Sequence, residues 1–263
     1  MIHLKSEEEI ELVKKSSLLV GKTLAEVARY IKPGILTAQL DKIAEEYIRD
    51  NGAVPGFKNY RGYPATLCIS INDQIVHGIP GKKEICDGDI VSVDCGVILN
   101  KFYGDSAYTI PVGDVKPEVV ELLKKTKESL DKGIEKAVAG NRVGDIGYAV
   151  QSYVESFGYS VVRELVGHGL GKQMHEEPQV PNFGRRGTGP KLSEGLVICI
   201  EPMINLGKKE IVQEADGWTI RTKDGKPSAH FEHAVVVRKN KAEVLSTFDY
   251  IESVNNVNIK SIN

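Results

Sequence analysis

The stretch Ile90-Val91-Ser92-Val93-Asp94-Cys95-Gly96-Val97-Ile98-Leu99, then Asn100-Lys101, then Phe102-Tyr103-Gly104-Asp105-Ser106, decides how this chain reads. A long apolar run opened by the Asp87-Gly88-Asp89 turn predicts a strand. Asn100-Lys101 marks a turn into a second strand reaching about Val112, so the two form a hairpin. Asp94 and Asp105, eleven positions apart, then lie near one end of a sheet. A carboxylate in a half-buried strand costs free energy unless it is paired or bound to a metal. Two in one hairpin are the first pointer to chemistry.

Outward from the hairpin, Ser6 and Glu9 form a capping box that opens a helix through Ile10, Val13, Leu19, Val20, Leu24, Val27 and Ile31, ended by Pro33-Gly34. A second helix runs from Thr37 to Asn51-Gly52, and a strand follows at Thr66 to Ile71. Beyond the hairpin, helices are predicted over 117–139 and 143–157. Strands are predicted around 160–165, 196–201, 210–214, 217–222, 228–238 and 242–246. Helices followed by strands, twice over, predict an α+β chain of two similar halves, about 1–113 and 114–252. They pack as a single domain spanning 1–263, with a loose Asn-rich tail over 253–263.

Lys and Arg number 34 against 36 Asp and Glu, a near-neutral balance that argues against bulk binding to DNA, RNA or an anionic membrane. No apolar run approaches the ~20 residues a membrane helix needs, and the Lys- and Glu-rich start is not a signal peptide. Cys68, Cys86, Cys95 and Cys199 include no Cys-x-x-Cys pair and read as reduced thiols of a cytoplasmic protein.

Three more charged or titratable residues interrupt apolar or glycine-rich runs: His168 in Val166-Gly167-His168-Gly169-Leu170-Gly171, Glu201 after Leu196-Val197-Ile198-Cys199-Ile200, and Glu232 before His233-Ala234-Val235-Val236. One such carboxylate is ordinarily a structural ion pair. Four without a matching set of Arg or Lys in those strands call for cations, and two divalent ions would balance them. One imidazole among oxygen donors suits manganese, iron or cobalt, with zinc also open. If 228–238 is one strand, His230 shares a face with Glu232 while His233 points away and packs elsewhere. His77 and His175, each alone, read as hydrogen-bonded structural histidines. The glycine-rich run around His168 has neither Walker nor Rossmann spacing, and Arg185, Arg186 and Lys191 read as a solvated loop.

Taken together, His77-Gly78-Ile79-Pro80, Val93-Asp94, Gly104-Asp105-Ser106, Gly167-His168-Gly169, His175-Glu176-Glu177-Pro178, Ile200-Glu201-Pro202 and Phe231-Glu232-His233 resemble type I methionine aminopeptidase, in its short bacterial form, over about residues 3 to 250. The resemblance implies the pita-bread fold, with two pseudo-twofold-related α+β halves around a central antiparallel sheet. It implies two divalent ions (iron, manganese, cobalt or zinc) held by Asp94, Asp105, His168, Glu201 and Glu232. Asp105 and Glu232 would bridge, with Asp94 on one ion and His168 and Glu201 on the other. It implies that His77 and His175 contact substrate at the scissile bond. Tyr60, Tyr63, Cys68, Met174 and Trp218 would line a methionine pocket, and Asn72, Gln74 and Ser228 would form a monovalent-cation site. His230 and Met174 depart from the family, where Gln and Phe are usual.

The implied reaction is removal of the initiator methionine from nascent polypeptides with a small second residue, by a metal-bridging water with Glu201 as base. The implied enzyme is a monomer in the cytoplasm in transient contact with the ribosome, with no DNA or membrane partner. Two alternatives stay open. An X-Pro aminopeptidase or prolidase would share the five ligands but usually carries a large N-terminal domain, and here only about 76 residues precede His77. A non-enzymatic binding module of the same fold would have lost ligands.

Overall fold

In the computed structural model, which describes residues 2–254, Ser6 caps the first helix as its sequence predicts. Its hydroxyl accepts the Glu9 N–H at 3.3 Å, and the Glu9 carboxylate accepts the Ser6 N–H at 3.3 Å. Glu7, Glu8 and Glu9 set negative charge in the first turn, where the helix dipole favours it. Helix α1 spans Glu7–Ala28 and α2 Thr37–Asp50. Strands β1 (Val54–Pro55), β2 (Leu67–Ile71), β3 (Gln74–Val76), β4 (Ile90–Leu99) and β5 (Phe102–Pro111) follow. Apart from Ser253 and Val254, the tail expected to be loose lies outside the described residues.

The hairpin forms as read. Asn100 and Lys101 take φ values of 52° and 69°, the left-handed pair that a two-residue hairpin turn requires. β4 and β5 pair along their full length, while β1 and β2 share the other edge of β4 end to end. Asp94 stands opposite Ala107, and Asp105 stands opposite Gly96. Opposed residues share a face, as do alternate residues along a strand. Asp94 and Asp105 are therefore diagonal neighbours on one face. They sit mid-hairpin rather than near the sheet's end, because the pairing runs on past both of them.

Helix α1 lies against β5 with no side chain between them at Gly104. A Cβ there would come within 2.3 Å of the Ser16 carbonyl carbon and the Ser17 nitrogen. The Ser16 hydroxyl faces the Phe102 carbonyl at 3.0 Å and the Leu99 carbonyl at 3.3 Å, which ties the helix to the hairpin turn.

The second run opens with α3 (Pro117–Ile134) and α4 (Val143–Glu155). α3 stops short of the predicted Ala139 because tertiary pairing wins there. Val138 bridges Arg238, and the Ala139 N–H donates to the Arg238 carbonyl at 2.9 Å. The remaining elements are β6 (Ser160–Val161), β7 (Gly167–Gly169), β8 (Glu176–Val180), β9 (Val197–Ile200), β10 (Met203–Asn205), β11 (Ile211–Gln213), β12 (Ile220–Thr222), β13 (Ser228–His230), β14 (His233–Val236), β15 (Glu243–Val244) and α5 (Asp249–Glu252). They form an antiparallel sheet in the order β15-β14-β9-β7-β8 and two small antiparallel sheets, β13-β10-β6 and β11-β12-β3.

The single strand predicted over 228–238 is in fact two, in different sheets, broken at Phe231-Glu232. The break lies along the outer edge of β5. The Glu232 N–H donates to the Ala107 carbonyl at 3.0 Å, and the Ser106 hydroxyl donates to the Glu232 carbonyl at 2.7 Å. The Thr109 hydroxyl lies 2.7 Å from the His230 carbonyl and accepts the His230 N–H at 2.9 Å. Phe231 anchors the crossing by packing edge-on against Tyr108. Among the described residues no helix is long and apolar enough to cross a membrane, and all four cysteines are free thiols.

Because Gly104 brings α1 and β5 into backbone contact, Gly104→Ala should cost about 1–3 kcal/mol or more, the usual range for forcing atoms into a filled interior. Urea unfolding of the metal-loaded protein checks it. An unchanged midpoint would mean the helix can shift away freely.

Candidate metal centre

Four sheet segments bring the charged residues together. The hairpin face presents Asp94 and Asp105, the pinned break places Glu232 beside Asp105, β7 carries His168, and Glu201 follows β9 directly. The donor atoms of Asp105, His168 and Glu232, together with the Cys199 thiol, all lie within 4.8 Å of one another. His168 Nε2 is 3.8 Å from Asp105 Oδ2 and 3.7 Å from Glu201 Oε1.

The glycines around His168 serve strand packing rather than an anion. A Cβ on Gly167 would meet the Cys199 carbonyl at 2.3 Å, and one on Gly169 the Glu177 carbonyl at 2.4 Å. His168 Nδ1–H donates to the Gly169 carbonyl at 2.9 Å. That bond fixes the tautomer and turns the Nε2 lone pair toward the carboxylates, the arrangement of a metal-ligating histidine.

Asp94 Oδ1, Asp105 Oδ1 and Glu232 Oε1 are sealed from solvent with no hydrogen-bond partner. No Lys or Arg among the described residues forms an ion pair with the four carboxylates; imidazoles are their only pairing partners. Burial pushes Asp94 up to about 7. Burial first, then the neighbouring acids, raises Asp105, Glu201 and Glu232 well above the ordinary carboxylate range. Burial lowers His168 to about 4, so its imidazole is neutral and free to donate its lone pair. Orphaned, converging carboxylate oxygens beside an oriented neutral imidazole fit hard or borderline divalent cations. Cys199, which reads in sequence as a reduced thiol, joins this cluster because it shares a strand face with Glu201. Burial raises its thiol well above the ordinary value.

Above the cluster lies a cavity of about 210 Å³ whose walls include Tyr60, Tyr63, Cys68, His77, His175 and Trp218. The Tyr60 hydroxyl is 2.8 Å from His175 Nδ1, and the His175 ring lies 4.3 Å from that of His168. Tyr63 meets Trp218 edge-on at 5.1 Å, and His77 meets it at 6.4 Å. His77 holds a left-handed φ of 59°, the kind of local strain that gathers at functional sites. Met174 is not in the wall; it is buried in the apolar cluster against which Phe57 and Tyr60 pack. Phe57 is in the wall, although in sequence a single Phe between Gly56 and Lys58 carries no pattern that marks it.

The three residues read as a monovalent-cation site are engaged within the protein. Asn72 Oδ1 accepts from Ile90 N–H, Gln74 Oε1 accepts from Ile71 N–H, and the Ser228 hydroxyl donates to the Ile204 carbonyl. His230 is buried with Nε2 3.7 Å from Glu201 Oε2. His233 packs elsewhere, with Nδ1 2.6 Å from the Ser246 hydroxyl and its ring stacked on Phe248.

Residues 11–239 match the model of metallopeptidase family M24. A methionine aminopeptidase of Clostridium perfringens is 52% identical over 246 residues, covering 94% of this chain and 99% of that protein. The crystal structure of methionine aminopeptidase from Rickettsia prowazekii superposes with a TM-score of 0.92 at 40% identity, over 94% of this chain and 100% of that one. A prolidase from Pyrococcus furiosus shares the fold, with a TM-score of 0.77, at 24% identity over 65% of its own length. The fold is thus the pita-bread arrangement that the sequence resemblance implies.

The raised carboxyls set a sign for pH dependence. A folded carboxyl with a raised pKa keeps a proton that the unfolded chain releases, so stability falls as pH climbs from the unfolded value near 4 through the folded values, about 7 for Asp94. Below about pH 6.5 the buried histidines act the other way, because the unfolded chain takes up protons that they refuse. Above it the carboxyls act alone, so metal-free protein should melt a few degrees lower at pH 8.5 than at pH 7, and metal should flatten the trend. A metal-free melting temperature that holds level or rises over that range would show the repulsion is relieved some other way.

Proposed function

Since this chain belongs to metallopeptidase family M24, as a methionine aminopeptidase of the short bacterial form, we propose that it removes the initiator methionine from nascent cytoplasmic proteins whose second residue is small. The observation that carries this reading is the set of orphaned carboxylate oxygens at the floor of a cavity walled by aromatic and thiol side chains. Asp94, Asp105, His168, Glu201 and Glu232 would together hold two divalent ions. Iron, manganese, cobalt and zinc all suit that donor set. When bound, the ions supply Lewis-acid polarisation of the scissile carbonyl and a lowered pKa for the attacking water.

The protein's own groups do the rest. Glu201 takes a proton from the water and returns it to the leaving amine. With the Tyr60 hydroxyl donating to Nδ1, His175 offers Nε2–H to the developing oxyanion. His77, held by its left-handed backbone and faced by Trp218, is the second contact at the scissile bond. Tyr60, Tyr63, Cys68 and Trp218, with Phe57, enclose the methionine side chain, whose thioether suits soft and aromatic walls.

The deciding experiment is hydrolysis of Met-Ala-Ser and of an Ala-Pro peptide by protein stripped of metal and reloaded with each ion in turn. Met-Ala-Ser should be cut only after reloading, and the Ala-Pro peptide should not be cut; preference for Ala-Pro would favour a prolidase. Glu201→Gln, at matched metal content, should lower kcat by about 10²-fold or more with little change in KM. A near-normal kcat with full metal would remove Glu201 from that role.

A further inference from the structure

The 210 Å³ cavity shares Arg61, Val166, His168 and His175 with a second, larger groove of about 730 Å³. If the methionine side chain fills the smaller cavity, the rest of the substrate must leave past the groups that flank the scissile bond. The groove begins at those groups. Its far walls are the segment His3 to Lys5 and strand β8, which is the edge strand of its sheet.

The charges along the groove are largely spent on one another. Lys5 pairs with Glu176 in a buried ion pair, and Lys172 pairs with Glu9 at 3.1 Å. Arg61 is the exception among its cations. Its side chain is exposed and forms no ion pair with any carboxylate among the described residues; its guanidinium carbon sits 5.4 Å from the centre of the Tyr60 ring. That ring carries the hydroxyl bonded to His175. The exposed acid Glu177 lies two residues past His175, about 6–7 Å further along an extended strand.

The backbone holds Arg61 in this place at a cost. Arg61 takes a φ of 50°, a left-handed conformation that such a side chain avoids by roughly 1–2 kcal/mol, and Asn59, a residue type that tolerates that region, leads into it at 68°. The turn is closed on itself, with the Asn59 N–H donating to the Tyr63 carbonyl at 2.7 Å and the Tyr63 N–H to the Tyr60 carbonyl at 2.9 Å. A strained, self-closed turn that sets one unpaired cation at the junction of two cavities is a positioned group.

We propose that Arg61 reads the third residue of the substrate and favours an acidic side chain there. The proposal rests on the aminopeptidase reading above and deepens it. An extended chain advances about 3.3 Å per residue, so the side chain after the small second residue leaves the catalytic groups within reach of a long guanidinium arm. The pair would be solvent-exposed, so its effect is modest and sensitive to salt.

The test compares the C-terminally amidated peptides Met-Ala-Asp-Ser, Met-Ala-Ala-Ser and Met-Ala-Lys-Ser on metal-loaded protein at low salt. Amidation removes a carboxylate that would itself meet Arg61. We expect kcat/KM to fall in the order Asp, Ala, Lys, spanning about fivefold, and the spread to shrink at high salt. Arg61→Ala should flatten the order, Arg61→Glu should invert it, and Arg61→Lys should keep it, with metal content and melting temperature compared alongside. Equal rates for the three peptides on the unaltered protein, or an order that survives Arg61→Ala, would overturn the proposal. Failure of the aminopeptidase reading would look different, since none of the three peptides would then be cut.

Discussion

Four carboxylates share one small volume that water barely reaches, and among the described residues no lysine or arginine is there to neutralise them. Much of the architecture around the site exists to hold that unfavourable arrangement in place. The hairpin sets two acids on one face, the break between β13 and β14 is stitched to the hairpin's outer edge so that a third stands beside them, and the fourth follows a strand of the neighbouring sheet. An isolated buried carboxylate would simply take a proton. A group of four with oxygens left unbonded is instead a preformed cage for positive charge.

Much of this could be read from residue order alone. The hairpin was legible because its turn residues and its apolar runs say the same thing. The ligand candidates stood out because a charge inside an apolar run has few ordinary explanations. The first helix announced itself through Ser6 and Glu9, whose mutual bonds are local. The division of 228–238 was not legible, since His230-Phe231-Glu232-His233 looks like continuous strand. What divides it is a set of bonds to Ser106, Ala107 and Thr109, far away in sequence. The same holds for the early stop of α3, decided by Arg238, and for short strands such as β7 and β10, which are strands only because a neighbour is there to pair with.

The histidines show how little residue type settles by itself. The ligand role proposed for His168 rests on a bond to the next residue's carbonyl, which aims the other ring nitrogen inward. The contact with substrate proposed for His175 rests on a tyrosine hydroxyl that arrives from another loop. His233, one residue from a proposed ligand, is spent on packing against Phe248 and on Ser246. An unbroken strand would set His230 on the face of Glu232; the strand is broken there, and His230 still lies by the site, near Glu201.

The stitch between Glu232 and the hairpin joins residues as far as 126 positions apart, Ser106 to Glu232. Closing so long a loop is a slow, entropically costly step, and nothing local rewards it beforehand. The donors run from Asp94 to Glu232, so a ribosome must pass Glu232, at the threshold of β14, before the cage can exist. Metal can therefore act only as a late clasp on a nearly completed chain, and the free energy of its capture goes into the last stage of folding rather than the first.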